Sequence, residues 1–225
     1  MAADLKKFLN ENFKGLILNP ALIYAWDTGI RFQISNPALP YDSPIFIEEA
    51  HRRALALFNE IIAPEDAILV VTKVLTQKNN PFLQKKPLNL YRKYIKHKPD
   101  LYKLRLEKLT DTEKGFGEDD SLVYRFVYAG KKGDIRYPEL LKALCYQDFK
   151  HPSTILKNQQ ESGYDVYFIN LTKKIIYHLY DDRGCDILAK DKEDIRFLYE
   201  EYNDWILEYD REKIDAVFQK NSKEE

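Results

Sequence analysis

Hydrophobic and polar positions follow two different periods along this chain, and the switches between them mark out its elements. Over 4–13, Leu5, Phe8 and Leu9 fall on one side of a helix. Over 29–35 the period drops to two, with Ile30, Phe32 and Ile34 set against Arg31, Gln33 and Ser35, which predicts a half-buried strand. Helical spacing returns over 45–62, where Ile47, Ala50, Ala54, Phe58 and Ile61 share a face and Pro64 closes the run. The stretch 67–75, AILVVTKVL, begins as a continuous apolar run, the mark of a central strand. A short helix over 88–95, strands over 102–109 and 121–129, and a helix opened by Pro138 with Leu140, Leu141, Leu144 and Cys145 inward complete the first two thirds.

The last part is the most informative. Residues 163–218 read as three short strands, a tight turn at Asp181, Asp182, Arg183 and Gly184, and then amphipathic helix. Asp181 suits the first position of a type I turn and Gly184 the left-handed position after it. Alternation places Ile175, Tyr177 and Leu179 on one face and Ile176, His178 and Tyr180 on the other, so both faces carry bulk. Asp191 is placed as a helix N-cap, and Ile195, Leu198, Tyr199, Tyr202, Ile206 and Tyr209 form one stripe beyond it. The expected fold class is α+β: a mostly antiparallel sheet packed by helices, ending in a three-stranded meander followed by two helices. One compact domain over 1–218 with a frayed tail at 219–225 is expected, because the C-terminal unit alone offers little apolar surface. The QQESG stretch at 159–163 is the one candidate boundary.

Composition narrows the function classes. The 225 residues are 44% hydrophobic and 32% charged, with 35 Lys and Arg against 36 Asp and Glu, a folded composition with a heavily charged surface. No run approaches the roughly 18 apolar residues of a membrane span, and the N-terminal helix interleaves charges as no signal peptide does, so a cytoplasmic protein is expected. Cys145 and Cys185 belong to no metal or disulfide array and are read as reduced and buried or half-buried. Eight glycines with no phosphate-loop string exclude the common nucleotide-binding loops, and no cofactor is expected. His51, His97, His151 and His178 have no partner at metal-ligand spacing, so no metal site or catalytic group is assigned.

Two strings in the C-terminal part carry a resemblance: YDDRG, which is Tyr180, Asp181, Asp182, Arg183 and Gly184, and LYEEYN, which is Leu198, Tyr199, Glu200, Glu201, Tyr202 and Asn203. With them the chain resembles a bacterial family labelled domain of unknown function 3885. WDTGIRF, carried by Trp26, Asp27, Gly29, Arg31 and Phe32, looks like a further part of that family, which would extend the resemblance over most of the chain. The resemblance implies kinship and no particular reaction.

Each conspicuous group has a structural and a functional reading. YDDRG either fixes a hairpin register or presents a recognition tip, and Asp27 either forms a structural ion pair with Arg31 or Arg183 or joins Asp181 and Asp182 in a metal or acid–base site. The tyrosine helix is either a core wall or a docking surface. The preferred expectation is a non-enzymatic protein-binding module, similar in general look to small immunity proteins that neutralise toxins. Its candidate binding residues are Trp26, Asp27, Arg31, Tyr180, Asp181, Asp182, Arg183, Tyr199, Tyr202 and Asn203. The alternatives are nucleic-acid binding by the basic, tyrosine-bearing 73–108 stretch and, behind it, an Asp-based metal enzyme. A protein partner is expected and a membrane is not.

Overall fold

The computed structural model describes residues 2–41, 43–77, 89–104, 106–110, 121–149 and 162–219. All seven described strands join one antiparallel sheet: β1 (Gly29–Gln33), β2 (Ala67–Gln77), β3 (Glu107–Lys108), β4 (Ser121–Lys131), β5 (Ser162–Asn170), β6 (Ile175–Leu179) and β7 (Gly184–Ala189). Their spatial order is β1-β7-β6-β5-β2-β4-β3. The fold is therefore α+β, with the expected three-stranded meander β5-β6-β7 at its centre-left and the long β2–β4 pair, Ala67 opposite Lys131 through Gln77 opposite Ser121, beside it. Because β5 pairs with both β2 and β6, the 159–163 stretch ends at the sheet's middle strand, although residues 159–161 lie outside the described ones.

Most of the helices cover one sheet face, and α1 (Ala2–Asn12) lies on the other. In α2 (Pro44–Ile61), Ser43 accepts a hydrogen bond from the Phe46 amide at 3.2 Å while Pro44 starts the first turn, so the entry is capped twice over. Its buried stripe, including Phe46, Ile47, Ala50, Ala54, Leu57, Phe58 and Ile61, lies in one core with Val70, Phe168, Tyr177 and Ile187 of the sheet. Each large side chain so buried contributes roughly 1.5–3 kcal/mol. To the same core belong α3 (Asn89–Tyr94), α4 (Tyr137–Cys145) and α5 (Arg196–Glu201), through Tyr91, Leu141 and Leu198 among others. The other face holds a smaller core in which Leu5 and Phe8 of α1 (Ala2–Asn12), with Phe13, Leu16, Leu18 and Leu22 after it, meet Val71, Val127, Tyr167, Ile169, Ile176 and Leu188. Cys145 and Cys185 are both buried free thiols.

Three expectations are corrected. The predicted strand over 102–109 shrinks to two residues, because Lys98–Lys103, with Pro99 in its first turn, forms a 3-10 helix instead. The single C-terminal stripe is broken. After α5 the chain leaves the helix so that Ile206 bridges Phe32 and the Leu207 amide donates to the Arg31 carbonyl at 3.0 Å, and only then does α6 (Arg211–Phe218) begin. Gly184 is also not left-handed. It opens β7 in extended backbone, and glycine is needed there for closeness: a Cβ would meet the Tyr180 hydroxyl and, at 2.7 Å, the Phe32 carbonyl.

Candidate functional site

Strand register gathers polar side chains on the α1-side face, beyond the apolar patch. Arg31 on β1 stands opposite Asp186 on β7, and Asp186 stands opposite His178 on β6, which in turn faces Tyr167 on β5. Arg31 forks onto the carboxylate, Nε to Oδ1 at 2.6 Å and Nη2 to Oδ2 at 2.8 Å, with both side chains buried. The Ile23 amide adds a third donor to Asp186 at 3.3 Å. Burial alone would lower the Arg31 pKa, but the hydrogen bond and charge of Asp186 outweigh it, so the guanidinium stays charged.

From that pair a chain of contacts runs to the surface. Arg31 Nη1 lies 3.6 Å from Asp210 Oδ2 and donates to the Tyr24 hydroxyl at 3.4 Å, and Tyr24 donates to Asp210 Oδ1 at 2.8 Å. The guanidinium also sits 5.0 Å from the Tyr24 ring centre and 5.5 Å from that of Tyr180. Inward, His178 is fully buried and stacks on Tyr167 with centroids 4.2 Å apart. Among the described residues, both its ring nitrogens and the Tyr167 hydroxyl lack a hydrogen-bond partner. Burial, with Arg31 and Lys73 nearby, holds the imidazole at about 3, so it is neutral.

The YDDRG residues serve the turn. Asp181 accepts from the Arg183 amide at 2.8 Å and from Arg183 Nε at 2.7 Å, while Arg183 Nη2 bonds Asp181 and lies 3.6 Å from Asp148. The Arg183 carbonyl takes the Ile34 amide at 3.0 Å, tying the turn to the end of β1. Arg183 is exposed, whereas Asp182 is buried, its Oδ2 without a hydrogen-bond partner among the described residues. Burial, reinforced by Asp181, pushes the Asp182 carboxyl up to about 6. An acid raised in the fold weakens it above that pH and stops doing so as pH falls toward the ordinary carboxylate range. Asp182→Asn is therefore expected to stabilise the protein at pH 7.5 by about 1–2 kcal/mol, after discounting for solvent near the turn, and to leave it unchanged at pH 4. Urea titrations at the two pH values check this, and an equal gain at both would refute the burial argument.

The remaining sequence candidates brace the scaffold. Tyr199 donates to Asp215 at 2.8 Å and stacks on Phe218, Tyr202 donates to Glu60 at 3.2 Å across to α2, and Asn203 accepts from Arg211 at 3.0 Å. Trp26 donates to the Ala189 carbonyl at 2.9 Å and packs on Phe13. Asp27 is exposed and is not the partner of Arg31, which takes Asp186 and Asp210 instead. Nor does Asp27 meet Asp181 and Asp182. It precedes Gly29, opposite Leu188, while the turn precedes Gly184, opposite Gln33, so they lie at opposite ends of β1, on the order of 15 Å apart. Among the described residues no three His, Cys, Asp or Glu side chains are grouped to hold a metal ion. In the basic stretch Tyr91 and Tyr94 are buried, Tyr102 and His97 are exposed, and residues 78–88 lie outside the described ones, as does His151.

Asp186, Tyr24, Asp210 and Tyr167 are the functional-site neighbours that sequence reasoning missed. An acid inside the apolar run GCDILA was the available signal for Asp186, but only the register reveals which cation it meets.

These features define the class: an α+β protein with one seven-stranded antiparallel sheet, its signature arginine and turn locked by buried carboxylates. The chain belongs to the family described as "Domain of unknown function (DUF3885)", which matches residues 5–210 and so takes in both WDTGIRF and the C-terminal strings. It is similar to "Uncharacterized protein YnaE" of Bacillus subtilis (strain 168), 30% identical over 216 residues, spanning 92% of this chain and 98% of that protein. No solved structure matches it significantly. No helix among the described residues is long and apolar enough to cross a membrane.

Proposed function

We propose that this protein is a non-enzymatic binding module of the bacterial cytoplasm that docks a basic protein on the acidic, tyrosine-bearing surface beside β1. The observation that carries the reading is a pair of neighbouring tyrosines turned outward: Tyr209 is 86% exposed and Tyr24, close enough to interact with it, 54%. Exposed Asp204, Glu208 and Glu212 lie near Tyr209 in sequence, and 191–219 as a whole carries ten acids against four Lys and Arg. Lys213 lies 5.3 Å from the Tyr24 ring, yet acids outnumber bases across the surface, and aromatic rings in a net acidic field are the ingredients of a hot spot that is steered to its partner by charge. The polar chain through Arg31 and Asp210 holds Tyr24 in place in advance, which lowers the ordering cost of binding. Neutralisation of a basic toxin, an immunity-type role, is the form of this reading that best matches the charge.

The alternative, a nucleic-acid surface on exposed Arg92, Lys93, Lys96, Lys98 and Lys103, retains charge but loses two stacking rings, Tyr91 and Tyr94, to the core. Affinity purification of the tagged chain from its bacterial host, followed by titration of the recovered partner, separates the two. The docking reading expects a basic protein whose affinity drops at least tenfold in Tyr24→Ala/Tyr209→Ala and is kept in Tyr202→Ala. A partner that binds the double variant as tightly as the parent, or a nucleic acid in its place, would overturn it.

A further inference from the structure

Two patches of opposite sign lie toward opposite edges of the sheet. Each carries one of the two most exposed large apolar side chains among the described residues, Tyr102 at 93% and Tyr209 at 86%. The basic patch is built on α3 and the 3-10 helix Lys98–Lys103, which leads into the edge strand β3. Tyr91 and Tyr94 turn into the core, which sends Arg92 and Lys93 outward, and Lys96, Lys98 and Lys103 are exposed beyond them. Lys98 donates to the Arg92 and Ile95 carbonyls, tying the two short helices into one block, and Lys96 donates to the Gly133 carbonyl at 2.7 Å. These acceptors carry no net charge, so the amines keep theirs. Among the described residues only Lys103 of the five cations pairs with a carboxylate, that of Asp100 at 2.7 Å.

The acidic patch lies at the other edge, where Ile206 bridges Phe32 on β1. Tyr209 is flanked in sequence by exposed Asp204, Glu208 and Glu212. Glu208 holds half-buried Arg211 at 2.6 Å and Lys213 is exposed, yet exposed Glu200 and Glu201 keep the balance of residues 200–213 acidic. With seven strands from edge to edge at about 4.8 Å per neighbour, the patches stand roughly 30 Å apart. That is several times the screening length of about 8 Å at physiological salt, so neither patch neutralises the other within one chain. The near balance of 35 Lys and Arg against 36 Asp and Glu thus conceals two poles, and a second copy offers each pole its complement.

We propose that the chain associates with itself head to tail, the basic Tyr102 patch of one copy seated on the acidic Tyr209 patch of the next. The incoming cations meet an aromatic ring there as well as carboxylates. Because the two patches differ, the contact is heterologous and leaves one free patch of each sign, so assembly continues past a pair. The interface stands on charge complementarity alone. Its consequence, that a foreign basic partner must displace a neighbouring copy before docking, rests on the function proposed above.

The test is sedimentation of the full chain over a range of concentrations, before and after nuclease treatment, at about 20 mM and about 300 mM salt. At low salt the weight-average mass should rise with concentration, and high salt should weaken the association at least tenfold. Arg92→Glu/Lys93→Glu and Asp204→Lys/Glu212→Lys change exposed positions only, so little change in Tm is expected, and each should weaken self-association at least tenfold. Mixed in equal amounts, the two variants should recover it as a one-to-one pair that grows no further, since each keeps one native patch and has lost the other. A chain that stays monomeric at low salt, association that survives high salt or either double variant, association lost on nuclease treatment, or a mixture that stays monomeric would each overturn the proposal. A monomeric chain that still captures a basic partner through Tyr24 and Tyr209 would end this proposal and leave the docking reading standing. Self-association with no partner captured would do the reverse.

Discussion

Asp186→Ala is expected to cost the fold about 3–5 kcal/mol, because it leaves the Arg31 guanidinium buried beneath Tyr24 and Tyr180 without its forked partner. Asp210 remains, but at 3.6 Å and on one nitrogen it replaces little of a bidentate bond. In a chain of this length each kcal/mol moves Tm by roughly 2–4 °C, so a fall of about 10 °C should be seen in a thermal scan. Removing both charges tests the cause. Arg31→Met/Asp186→Leu keeps apolar volume on both strands, leaves no stranded charge, and is expected to recover most of the loss, since a buried pair adds little net stability over hydrophobic residues. A single-variant loss below about 1 kcal/mol in urea would mean that water solvates Arg31 after all. A double variant as unstable as Asp186→Ala would mean that shape, not charge, is what the pair provides.

The second large effect concerns acid. His178 is held neutral at about 3 in the fold against about 6.5 in an open chain. The unfolded state therefore takes up its proton first. Stability contributed by the neutral ring is fully present above pH 6.5 and is lost as pH falls toward 3, by roughly 2 kcal/mol at pH 5 and about 4–5 kcal/mol once the lower value is reached. His178→Phe replaces the ring that stacks on Tyr167 without a titrating group, so the variant should lack this component. The informative quantity is the difference between parent and variant against pH in chemical denaturation, because Asp182 contributes with the opposite sign in both. That difference should move toward the variant by about 2 kcal/mol between pH 7.5 and pH 5. A flat difference would show that the imidazole finds a proton acceptor or solvent in the fold.

Much of the architecture was legible in the sequence wherever local physics decides it. Helix α2 carries its own cap, first-turn proline and stripe, so Ser43, Pro44 and the buried face through Ile61 follow from spacing alone. The two-sided bulk of β6 was readable from alternation, and Tyr177 and His178 do face opposite cores. Non-local partners decide the rest. The helical pattern through Tyr202 and Ile206 is sound, yet the β1 edge takes Ile206 and Leu207 and turns Tyr209 out to solvent. For the site, the family strings fall on residues that join β1, β7 and the turn between β6 and β7. Arg31, Asp181 and Asp182 are buried, but Asp182 is the only one of them left without a full set of partners. Asp186 and Lys73 escaped notice because a charge within an apolar strand reveals its partner only when the neighbouring strand is known.

The placement of β1 has a consequence for how the chain is made. Its strand neighbour β7 lies some 155 residues downstream, and its outer edge is covered by a segment later still, at Leu207. A nascent chain carrying Gly29–Gln33 has no native neighbour for that strand until some 155 further residues have been made and have left the ribosome, so at usual elongation rates the wait is about ten seconds or more. During that time an apolar strand edge, Ile30 and Phe32 included, is open to other chains. Closure of the amino-terminal strand is thus a late, length-dependent event, and premature stops before Gly184 leave products with an unsatisfied edge.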